Sequence, residues 1–455
     1  MIVSIIGGTD GLGKWFARFL KSRGFDIVVT GRDVNKGKNV EKELGVTFTT
    51  DNIKAAKKGD VVVVAVPINV TERVIREVAP HVREGSLLMD ITSIKEIPAK
   101  AMEECVKEGV CVIPTHPMFG PSTPSLKRQV VILTPSEKYM SNPWFRKVKE
   151  FLEREGARVV IMTPKEHDRI MGIIQGLTHY AYISLGTTLK ELNVNIKESR
   201  KYASPIYELM INIIGRIIGQ NPYLYADIQM YNPQIEHIHE TFIKECIKIK
   251  DIVAKKDRES FVNIMKKAAK HFGSETIRGM RYSNKAVGAI IEEMEKLERS
   301  IGKEVALKHI YTGHIHYGTL KDIVDDTVVL SKNGREIRVN IANISLMEEK
   351  ELEEWKRENL KRYFNDISVL FKENVDEKII LKLLRGMFDV DILDVYQGEG
   401  IERGFKSITF RIYSYKREEL PKLKERFLEV IKNIGGRERY GDKNLQCKEV
   451  VREHN

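Results

Sequence analysis

The chain is 455 residues long, 42% hydrophobic and 31% charged, which predicts two to four folded domains and excludes a disordered or fibrous protein. Its net charge of +11 suits anionic small molecules or nucleic acid as partners, although a solvated Lys/Glu surface would give the same value. No stretch approaches the ~20 apolar residues that span a bilayer and no signal-peptide pattern opens the chain, so we expect a cytoplasmic protein without a membrane partner.

The cysteines predict neither a disulfide framework nor a metal site. No CxxC pair occurs, and no cluster of His and Cys has the spacing of zinc ligands. We therefore expect no bound metal, and we expect reduced, mostly buried thiols. The four cysteines are Cys105, Cys111, Cys246 and Cys447.

The first third of the chain alternates short apolar runs with helical patterns. Apolar runs at 61–66 and 87–90 flank one such helical pattern, and further strand candidates follow at 129–133 and 158–162. Continuous apolar strands separated by helices are typical of a parallel sheet covered on both faces. Residues 1–164 are therefore predicted to form a doubly wound, Rossmann-like α/β domain.

A glycine-rich turn joins the first strand to the first helix and predicts a dinucleotide site. The run IIGGTDGLG at 5–13 departs from the G-x-G-x-x-G pattern, because Asp10 stands at its second glycine. Its place between a strand and a helix is right, since such a turn brings backbone N–H groups to a pyrophosphate. The alternative is a glycine-rich turn without a ligand. The predicted cofactor-binding residues of this turn are Gly8, Thr9, Asp10, Gly11, Leu12 and Gly13.

The end of the second predicted strand bears on the choice between NAD and NADP. An NAD enzyme usually has Asp or Glu there, about 20 residues beyond the turn, to bind the ribose hydroxyls. This chain has Gly31 and Arg32, which suit a 2′-phosphate and favour NADP. Asp33 lies one residue too late but could still reach the ribose, which leaves NAD open. Val66 and Pro67, at the end of the fourth strand, are predicted on the nicotinamide side.

Two polar stretches follow neighbouring buried strands, DITSIK at 90–95 and THPMFGP at 115–121. Both lie beyond the carboxyl ends of parallel strands, where ligands collect in open α/β sheets. The proline after His116 holds that histidine in an extended conformation. A lone histidine is more often structural, but its position at a strand end indicates a functional residue here.

From about residue 164 the alternation ends and long helical patterns continue to about residue 299. Apolar residues recur every three or four positions, which indicates amphipathic helices. Residues 165–300 are therefore predicted to form an all-helical domain. Breaks with Asn, Ser or Pro are predicted at 193–195, 204–205, 221–222 and 232–233.

The pattern changes again after about residue 303. Short β-like runs split by turns, notably SKNG at 331–334, predict a small β-barrel-like unit over 304–348. A charged helix is predicted at about 348–363. The last domain, 349–455, is predicted as ferredoxin-like α+β. Its strand, helix, strand, strand and helix are placed at 366–371, 377–388, 391–397, 406–413 and 417–434.

Five stretches of the chain resemble the prephenate dehydrogenase family, and the resemblance covers residues 1 to about 282. It implies a homodimeric NAD(P)-dependent oxidoreductase of tyrosine biosynthesis that converts prephenate to 4-hydroxyphenylpyruvate, with the helical domain as substrate-binding and dimerisation domain. Arogenate dehydrogenase is not separated by the sequence, because its substrate differs only in an amino acid side chain. The stretches are DITSIK (90–95), HPMFGPSTPSLKRQVV (116–131), EHDRIMGIIQGLTHYAY (166–182), SPIYELMINIIGRIIGQNP (204–222) and LYADIQM (224–230).

The same resemblance implies catalytic roles for individual residues. His116, in HPMFGP, would accept the proton of the substrate's ring hydroxyl. Ser93, in DITSIK, would support that histidine and the hydroxyl. Arg216, in IIGRIIGQNP, would bind the ring carboxylate of the substrate through its planar guanidinium group, which lysine does not reproduce.

Three further residues are implied to line the substrate pocket. Gln175 and His179 lie four residues apart and share one helix face. Tyr225 stands where the family has a tyrosine on the substrate side. His167 is interpreted instead as fixing the start of its helix.

The last domain is similar to the ferredoxin-fold anticodon-binding domain of the phenylalanyl-tRNA synthetase β subunit. The similarity rests on DISVLF (366–371), DVYQGEGI (394–401) and KSITFR (406–411). It implies a regulatory or assembly module with tyrosine or phenylalanine as effector, or retained RNA binding through stretches rich in Lys and Arg. A structural addition without a ligand is the third interpretation.

Two other functions compete with a prephenate dehydrogenase. GGTDGLG and TGR also resemble oxidoreductases that transfer hydride between a deazaflavin coenzyme and NADP, but that group lacks the HPMFGP motif and so large a helical domain. The second is a regulatory or RNA-binding protein built on an inactive dehydrogenase scaffold. The complete set of predicted site residues argues against such a loss of activity.

Overall fold

The computed structural model describes residues 1–332, 334–439 and 448–449. Asn333 of the predicted turn and Cys447 lie outside these residues. The chain divides into two compact units, Met1–Gly288 and Ala289–Asn455.

An eight-stranded sheet forms the centre of the first unit. Its strands are β1 (Ile2–Ile6), β2 (Asp26–Thr30), β3 (Thr47–Thr49), β4 (Val61–Val64), β5 (Leu87–Asp90), β6 (Cys111–Pro117), β7 (Val130–Leu133) and β8 (Arg158–Ile161). Their order across the sheet is β3-β2-β1-β4-β5-β6-β7-β8. Strands β1 to β6 pair in parallel, which confirms the predicted Rossmann-like sheet, whereas β7 is antiparallel to β6.

Helices connect these strands and cover the sheet. They are α1 (Gly11–Lys21), α2 (Val34–Leu44), α3 (Asn52–Lys58), α4 (Ile68–Val78), α5 (Glu96–Cys105), α6 (Glu137–Met140) and α7 (Pro143–Arg154). All four residues of β4 are buried, as the continuous valine run predicts for a strand covered on both faces. This strand ends at Val64, so Val66 and Pro67 lie in the connection to α4 rather than at the end of the strand.

Helices make up the rest of the first unit, and a π-helical turn at Gly172–Leu177 separates the first two. They are α8 (Pro164–Met171), α9 (Thr178–Glu191), α10 (Ile196–Arg200), α11 (Pro205–Ile218), α12 (Pro222–Tyr231), α13 (Ile235–Ala254), α14 (Arg258–Phe272) and α15 (Glu275–Glu298), which continues into the second unit. Asn195, Ser204 and Asn221 cap the helices that follow them, so the breaks fall where polar residues replace the apolar pattern. Within the described part of the chain, no helix combines the length and the apolar character needed to cross a bilayer.

The second unit begins with a five-stranded antiparallel sheet. Its strands are β9 (Glu304–His309), β10 (Ile315–Val324), β11 (Thr327–Lys332), β12 (Arg335–Asn340) and β13 (Ile344–Leu346). The order is β12-β11-β10-β9-β13, so the last strand returns to pair with the first, as expected for a barrel-like unit. Helix α16 (Glu349–Asn359) follows and ends four residues before the predicted limit, because Tyr363 already begins the next strand.

The remaining elements of the second unit form a ferredoxin-like α+β domain. They are β14 (Tyr363–Lys372), α17 (Glu377–Arg385), β15 (Val390–Tyr396), β16 (Phe405–Ser414), α18 (Leu420–Asn433), β17 (Arg437–Glu438) and β18 (Lys448–Glu449). The strand order β15-β16-β14-β17, antiparallel throughout, is that of a ferredoxin-like sheet and confirms the predicted fold. Phe371, Phe410 and Phe427 are fully buried in its core.

The described cysteines are free thiols with different exposures. Cys111 is buried and Cys105 is half-buried. Cys246 is exposed on α13, so the expectation of mostly buried thiols is wrong at this position. Within residues 1–332 and 334–439, no three or more His, Cys, Asp or Glu side chains are grouped to hold a metal ion.

Candidate active site

His116 lies on β6 at the carboxyl ends of the parallel strands and is only 2% exposed. The parallel pairing of β5 with β6 sets Asp90 beside Pro114, so the loop after β5 reaches the same edge of the sheet. Burial lowers the pKa of His116 well below its ordinary value of 6.5, and the positive charge of Lys95 acts in the same direction. The imidazole is therefore neutral at pH 7 and can accept a proton.

A chain of hydrogen bonds connects His116 to a buried carboxylate. His116 Nδ1 lies 2.8 Å from His167 Nε2, and His167 Nδ1 lies 2.7 Å from Asp168 Oδ1. The carboxylate accepts a hydrogen bond from the N–H at His167 Nδ1. Burial keeps His167 neutral by lowering its pKa. Neutral His167 must then accept at Nε2, so His116 donates from Nδ1. The lone pair of His116 is consequently on Nε2, where a base needs it.

Lys95 is fully buried near His116 and His167. Its ammonium group has three acceptors: the Asp90 carboxylate, Thr92 Oγ1 at 3.2 Å and the carbonyl of Thr115 at 2.9 Å. Three acceptors match the three donors of a protonated lysine. Burial lowers the pKa of Lys95, and the Asp90 carboxylate opposes that shift. Because Asp90 also accepts the N–H of Thr115, this ion pair fixes the strand that carries His116.

Asp168 joins the sheet to the helical part of the first unit. Its carboxylate oxygens accept the backbone N–H groups of Lys95 at 2.7 Å and Glu96 at 2.9 Å, at the start of α5. A carboxylate is stabilised there by the free N–H groups and by the helix dipole. Helix α8 is thereby held where His167 reaches His116.

Gln175 lies on the π-helical turn between α8 and α9, a kind of turn that often marks functional sites. Its Nε2 lies 3.5 Å from Nε2 of His116. Its Oε1 is buried and has no hydrogen-bond partner among the described residues, which is costly unless a ligand supplies one. The turn packs tightly on α13, because a Cβ on Gly172 would lie 2.7 Å from Ile238.

The candidate site includes three further residues of the helical part: His179, Tyr225 and Arg216. The ring of His179 packs edge-on against Tyr225, with 4.6 Å between centroids. Burial lowers the pKa of His179, and its buried Nδ1 has no hydrogen-bond partner in the described part of the chain. Burial also raises the pKa of Tyr225, whereas the nearby positive charge of Arg216 lowers it. Arg216 itself is exposed on α11 and forms no ion pair with a described residue.

Ser93 is half-buried in the loop after β5. Its hydroxyl makes no hydrogen bond to another described residue, so the structure does not connect it to His116. The loop nevertheless lies at the carboxyl end of β5, on the same edge of the sheet. Its supporting role stays a prediction.

The glycine-rich turn after β1 has the close approaches that a dinucleotide site requires. Gly7 has a φ of 91°, and a Cβ on Gly13 would lie 2.5 Å from the Gly7 carbonyl oxygen. Gly8 packs on Val29, since a Cβ there would lie 2.8 Å from its side chain. Val66 borders the turn, because a Cβ on Gly7 would lie 2.9 Å from it. These residues fit a pyrophosphate at the N-terminus of α1.

The other predicted cofactor residues surround this turn. Gly11 has a φ of 52° and is exposed, Leu12 packs on the core, and Pro67 precedes α4 as its capping residue. Arg32 is exposed just after β2 and has no ion pair with a described residue. Asp33 caps α2 by accepting N–H groups of that helix, so a contact with the ribose would compete with its capping bonds.

Three residues of the buried network were not among the predicted site residues. Lys95 and Asp90 belong to the quoted DITSIK stretch, and Asp168 belongs to EHDRIM. The sequence feature that points to such a buried network is a charged residue at the end of an otherwise apolar strand. His167 was interpreted as fixing the start of α8, but Thr163 and Glu166 form that cap as a capping box, and His167 instead bonds to His116.

Two family models and several known proteins match this chain. A family model described as prephenate dehydrogenase, nucleotide-binding domain, matches residues 16–161, and one described as prephenate dehydrogenase, dimerization domain, matches residues 163–267. A probable arogenate/prephenate dehydrogenase of Methanocaldococcus jannaschii is 68% identical over 440 residues, which are 97% of this chain and 99% of that protein. The T-protein of Enterobacter agglomerans is 30% identical over 61% of this chain and 69% of its own length.

Among solved structures, the prephenate dehydrogenase of Aquifex aeolicus in complex with hydroxyphenyl propionate and NAD+ has a similar fold. Its TM-score is 0.50 at 21% identity, and the match covers 62% of this chain and 98% of that chain. The Methanocaldococcus relative extends further, because its similarity includes the second unit that neither family model matches.

Proposed function

Because the chain belongs to the prephenate dehydrogenase family, we propose that it oxidises prephenate to 4-hydroxyphenylpyruvate and carbon dioxide with a nicotinamide dinucleotide. The observation that carries this proposal is a neutral, buried His116 whose Nε2 lies 3.5 Å from Nε2 of Gln175. The Oε1 of that amide has no hydrogen-bond partner among the described residues. Arogenate is the second candidate substrate, because a relative that is 68% identical has both substrates in its name.

His116 is the proposed base. Its Nε2 would take the proton of the substrate's 4-hydroxyl group, a contribution typically worth ~10²–10⁴-fold in rate. Asp168 and His167 position the imidazole and share the charge that it gains, because the carboxylate lies one ring beyond. Ser93 is proposed to support the hydroxyl from the loop after β5.

A bound nicotinamide dinucleotide supplies the acceptor for the hydride that leaves the hydroxyl-bearing carbon. The ring carboxylate departs as carbon dioxide, its bonding electron pair makes the ring aromatic, and the ring oxygen takes the proton back from His116 to give the phenol. Arg216 is proposed to orient that carboxylate through its planar guanidinium group. It must do so without overstabilising a group that is lost in the reaction. Three residues would complete the pocket: Gln175, His179 and Tyr225. The first two have buried polar atoms without a partner among the described residues.

One experiment tests substrate and cofactor together. Purified protein is mixed with prephenate or arogenate, each with NAD or NADP, and reduced-nicotinamide absorbance is followed. We expect turnover with prephenate, and we expect NADP to be favoured because Gly31 and Arg32 stand where an NAD enzyme has an acid. Turnover with arogenate alone would contradict the proposed substrate, and no turnover in any combination would contradict the proposed reaction.

We propose a homodimer formed through the helical domain. Residues 163–267 match the family's dimerization domain. In the single chain, large apolar side chains of α13 and α14 are exposed, among them Ile247, Val253, Met265 and Phe272. An apolar surface of this kind is typical of an interface between subunits. Sedimentation should give twice the chain mass, and a Met265→Asp change should shift it toward the monomer.

For the ferredoxin-like domain we propose a regulatory or assembly role, with tyrosine or phenylalanine as effector. Two cations from stretches rich in Lys and Arg have carboxylate partners within the second unit: Lys416 lies 3.0 Å from Glu304, and Arg437 pairs with Glu402. Inhibition of turnover by added tyrosine would support this role. RNA affinity that falls steeply with salt would instead support the anticodon-binding-like alternative.

The four predicted domains, 1–164, 165–300, 304–348 and 349–455, and the cytoplasmic location stay proposals. Limited proteolysis tests the boundaries, because exposed linkers between domains are cut first. Cleavage confined to the interiors of these ranges would contradict them.

A further inference from the structure

An ion pair crosses the proposed dinucleotide cleft. Lys36 Nζ, on the first turn of α2, lies 2.9 Å from Asp10 Oδ2, on the glycine-rich turn. The hydrogen bond to Lys36 lowers the pKa of Asp10, and the same bond raises the pKa of Lys36. Both side chains are exposed, so the pair is accessible to a ligand and open to exchange.

Asp10 occupies the position at which the G-x-G-x-x-G pattern has its second glycine. Its φ of −151° is extended backbone, so the side chain introduces no strain. Its Oδ1 accepts the N–H of Gly11 at 2.8 Å and so caps α1. The carboxylate therefore holds a negative charge at the helix start, where phosphate groups of a dinucleotide would approach.

The structure excludes the usual acidic selector of NAD at the end of β2. A Cβ on Gly31 would lie 2.5 Å from Thr9 Oγ1, so a carboxylate side chain at that position would have to displace the Thr9 side chain. Asp33 accepts the N–H groups of Asn35 and Lys36 at 2.9 and 3.0 Å, so its Oδ1 is engaged as the cap of α2.

Two cations remain beside the expected ribose position. Arg32 is exposed and has no ion pair with a described residue, and the only ion-pair partner of Lys36 among the described residues is Asp10. A phosphate monoester carries a charge of about −1.5 to −2 with three acceptor oxygens, so it is a stronger partner for an ammonium than a single carboxylate.

We propose that Lys36 selects the 2′-phosphate of NADP. Without NADP, the Asp10 carboxylate binds the Lys36 ammonium. When NADP binds, its 2′-phosphate replaces that carboxylate as the partner of Lys36. Binding of NAD leaves the pair intact, because no anion is present at the 2′ position. Binding of NADP exchanges one anion for another at Lys36 and releases Asp10 to solvent. This inference rests on the proposed use of a nicotinamide dinucleotide.

The first test is Lys36→Gln, with binding of NAD and NADP measured separately by calorimetry in the absence of substrate. A charged hydrogen bond is worth ~1.5–3 kcal/mol, so we expect NADP affinity to fall by about tenfold or more and NAD affinity to change less than about twofold. Lys38→Gln, on the same helix two residues on, is the matched control and should leave both affinities unchanged. Equal effects on both cofactors, or no effect on either, would overturn the role of Lys36.

The second test is Asp10→Asn, which keeps a capping side chain on α1 but removes the charge. Both cofactors should bind more tightly, and NADP should gain more than NAD because Lys36 is also released. In the double variant with Lys36→Gln, that extra gain for NADP should vanish. A gain that persists in the double variant would overturn the coupling. If the unaltered protein binds neither dinucleotide, the proposed function itself is wrong.

Discussion

The two sides of the candidate active site differ in how completely their polar groups are paired. On the sheet side, Lys95 and Asp90 are buried and paired with each other, and buried Asp168 of α8 bonds to the backbone of Lys95 and to His167. On the helical side, Gln175 and His179 each have a buried polar atom without a partner among the described residues. The groups that position His116 therefore have their partners within the protein, whereas the helical side has polar atoms left for a substrate to bond.

From this difference we infer that the sheet side controls the chemical step and the helical side controls substrate binding. A fully bonded network fixes the tautomer and orientation of His116 before any substrate arrives, which is what a catalytic base requires. We expect the unpaired polar atoms on the helical side to gain partners when the substrate binds. Changes on the sheet side should therefore affect turnover or folding, and changes on the helical side should affect the Michaelis constant.

The largest expected effect comes from His116→Asn. Asparagine keeps a polar side chain of similar size but cannot take the hydroxyl proton, so kcat should fall by ~10²–10⁴-fold with little change in binding. Stopped-flow or steady-state absorbance of the reduced cofactor measures it. His81→Asn, at the opposite ends of the strands, is the control and should retain full activity. Near-normal turnover of His116→Asn would show that another group is the base.

Lys95→Met should mainly destabilise the fold. The side chains are similar in length, but methionine leaves the Asp90 carboxylate buried without its cation, which typically costs ~3–5 kcal/mol of unfolding free energy. Denaturant unfolding measures the difference. The matched control is Lys149→Met, which removes an exposed pair with Glu153 and should cost at most ~1 kcal/mol. Similar losses in the two variants would contradict a buried ionic network.

Asp168→Asn tests whether this network positions His116, apart from any role in folding. An amide can present its N–H to His167 Nδ1, which would reverse both tautomers and move the His116 lone pair from Nε2 to Nδ1. We expect kcat to fall by at least about tenfold while the Michaelis constant changes little. A parallel rise of the Michaelis constant with unchanged kcat would show that Asp168 serves only the substrate pocket.

The sequence predicted the helical side of the site better than the sheet side. Gln175 and His179 share a helix face four residues apart, so local periodicity brings them together. His167 and His116 lie 51 positions apart, and their contact depends on Asp168 capping α5 from another part of the fold. No local pattern encodes that contact. The strands were predictable because runs such as Val61–Val64 are apolar at every position, but the antiparallel direction of β7 depends on a long connection without a periodic signal.

Arg216→Ala tests the helical side. The guanidinium is exposed and unpaired among the described residues, so its removal should leave the fold intact. A hydrogen bond between charged groups is worth ~1.5–3 kcal/mol, so the Michaelis constant for prephenate should rise about 10- to 100-fold with a smaller change in kcat. Arg216→Lys should recover only part of this loss, since an ammonium cannot make the two parallel bonds. Arg169→Ala, on α8, serves as the control.

The smallest expected effect is a shift of the acid limb in the pH dependence of kcat/KM to lower pH than an ordinary histidine would give. Only neutral His116 can accept a proton, and burial sets its pKa well below 6.5, so activity should persist as the pH falls through 6.5 and decline only at lower pH. An unshifted histidine would lose about half of the activity at pH 6.5 and about nine tenths at pH 5.5. The pKa of His179 is also lowered by burial, so the profile of His179→Asn must be measured beside that of the unaltered protein. An acid limb that stays in place in this variant assigns it to the hydrogen-bonded pair of His116 and His167, whose pKa values are both lowered by burial. A limb centred at or above pH 6.5 in the unaltered protein would contradict a base that burial holds neutral.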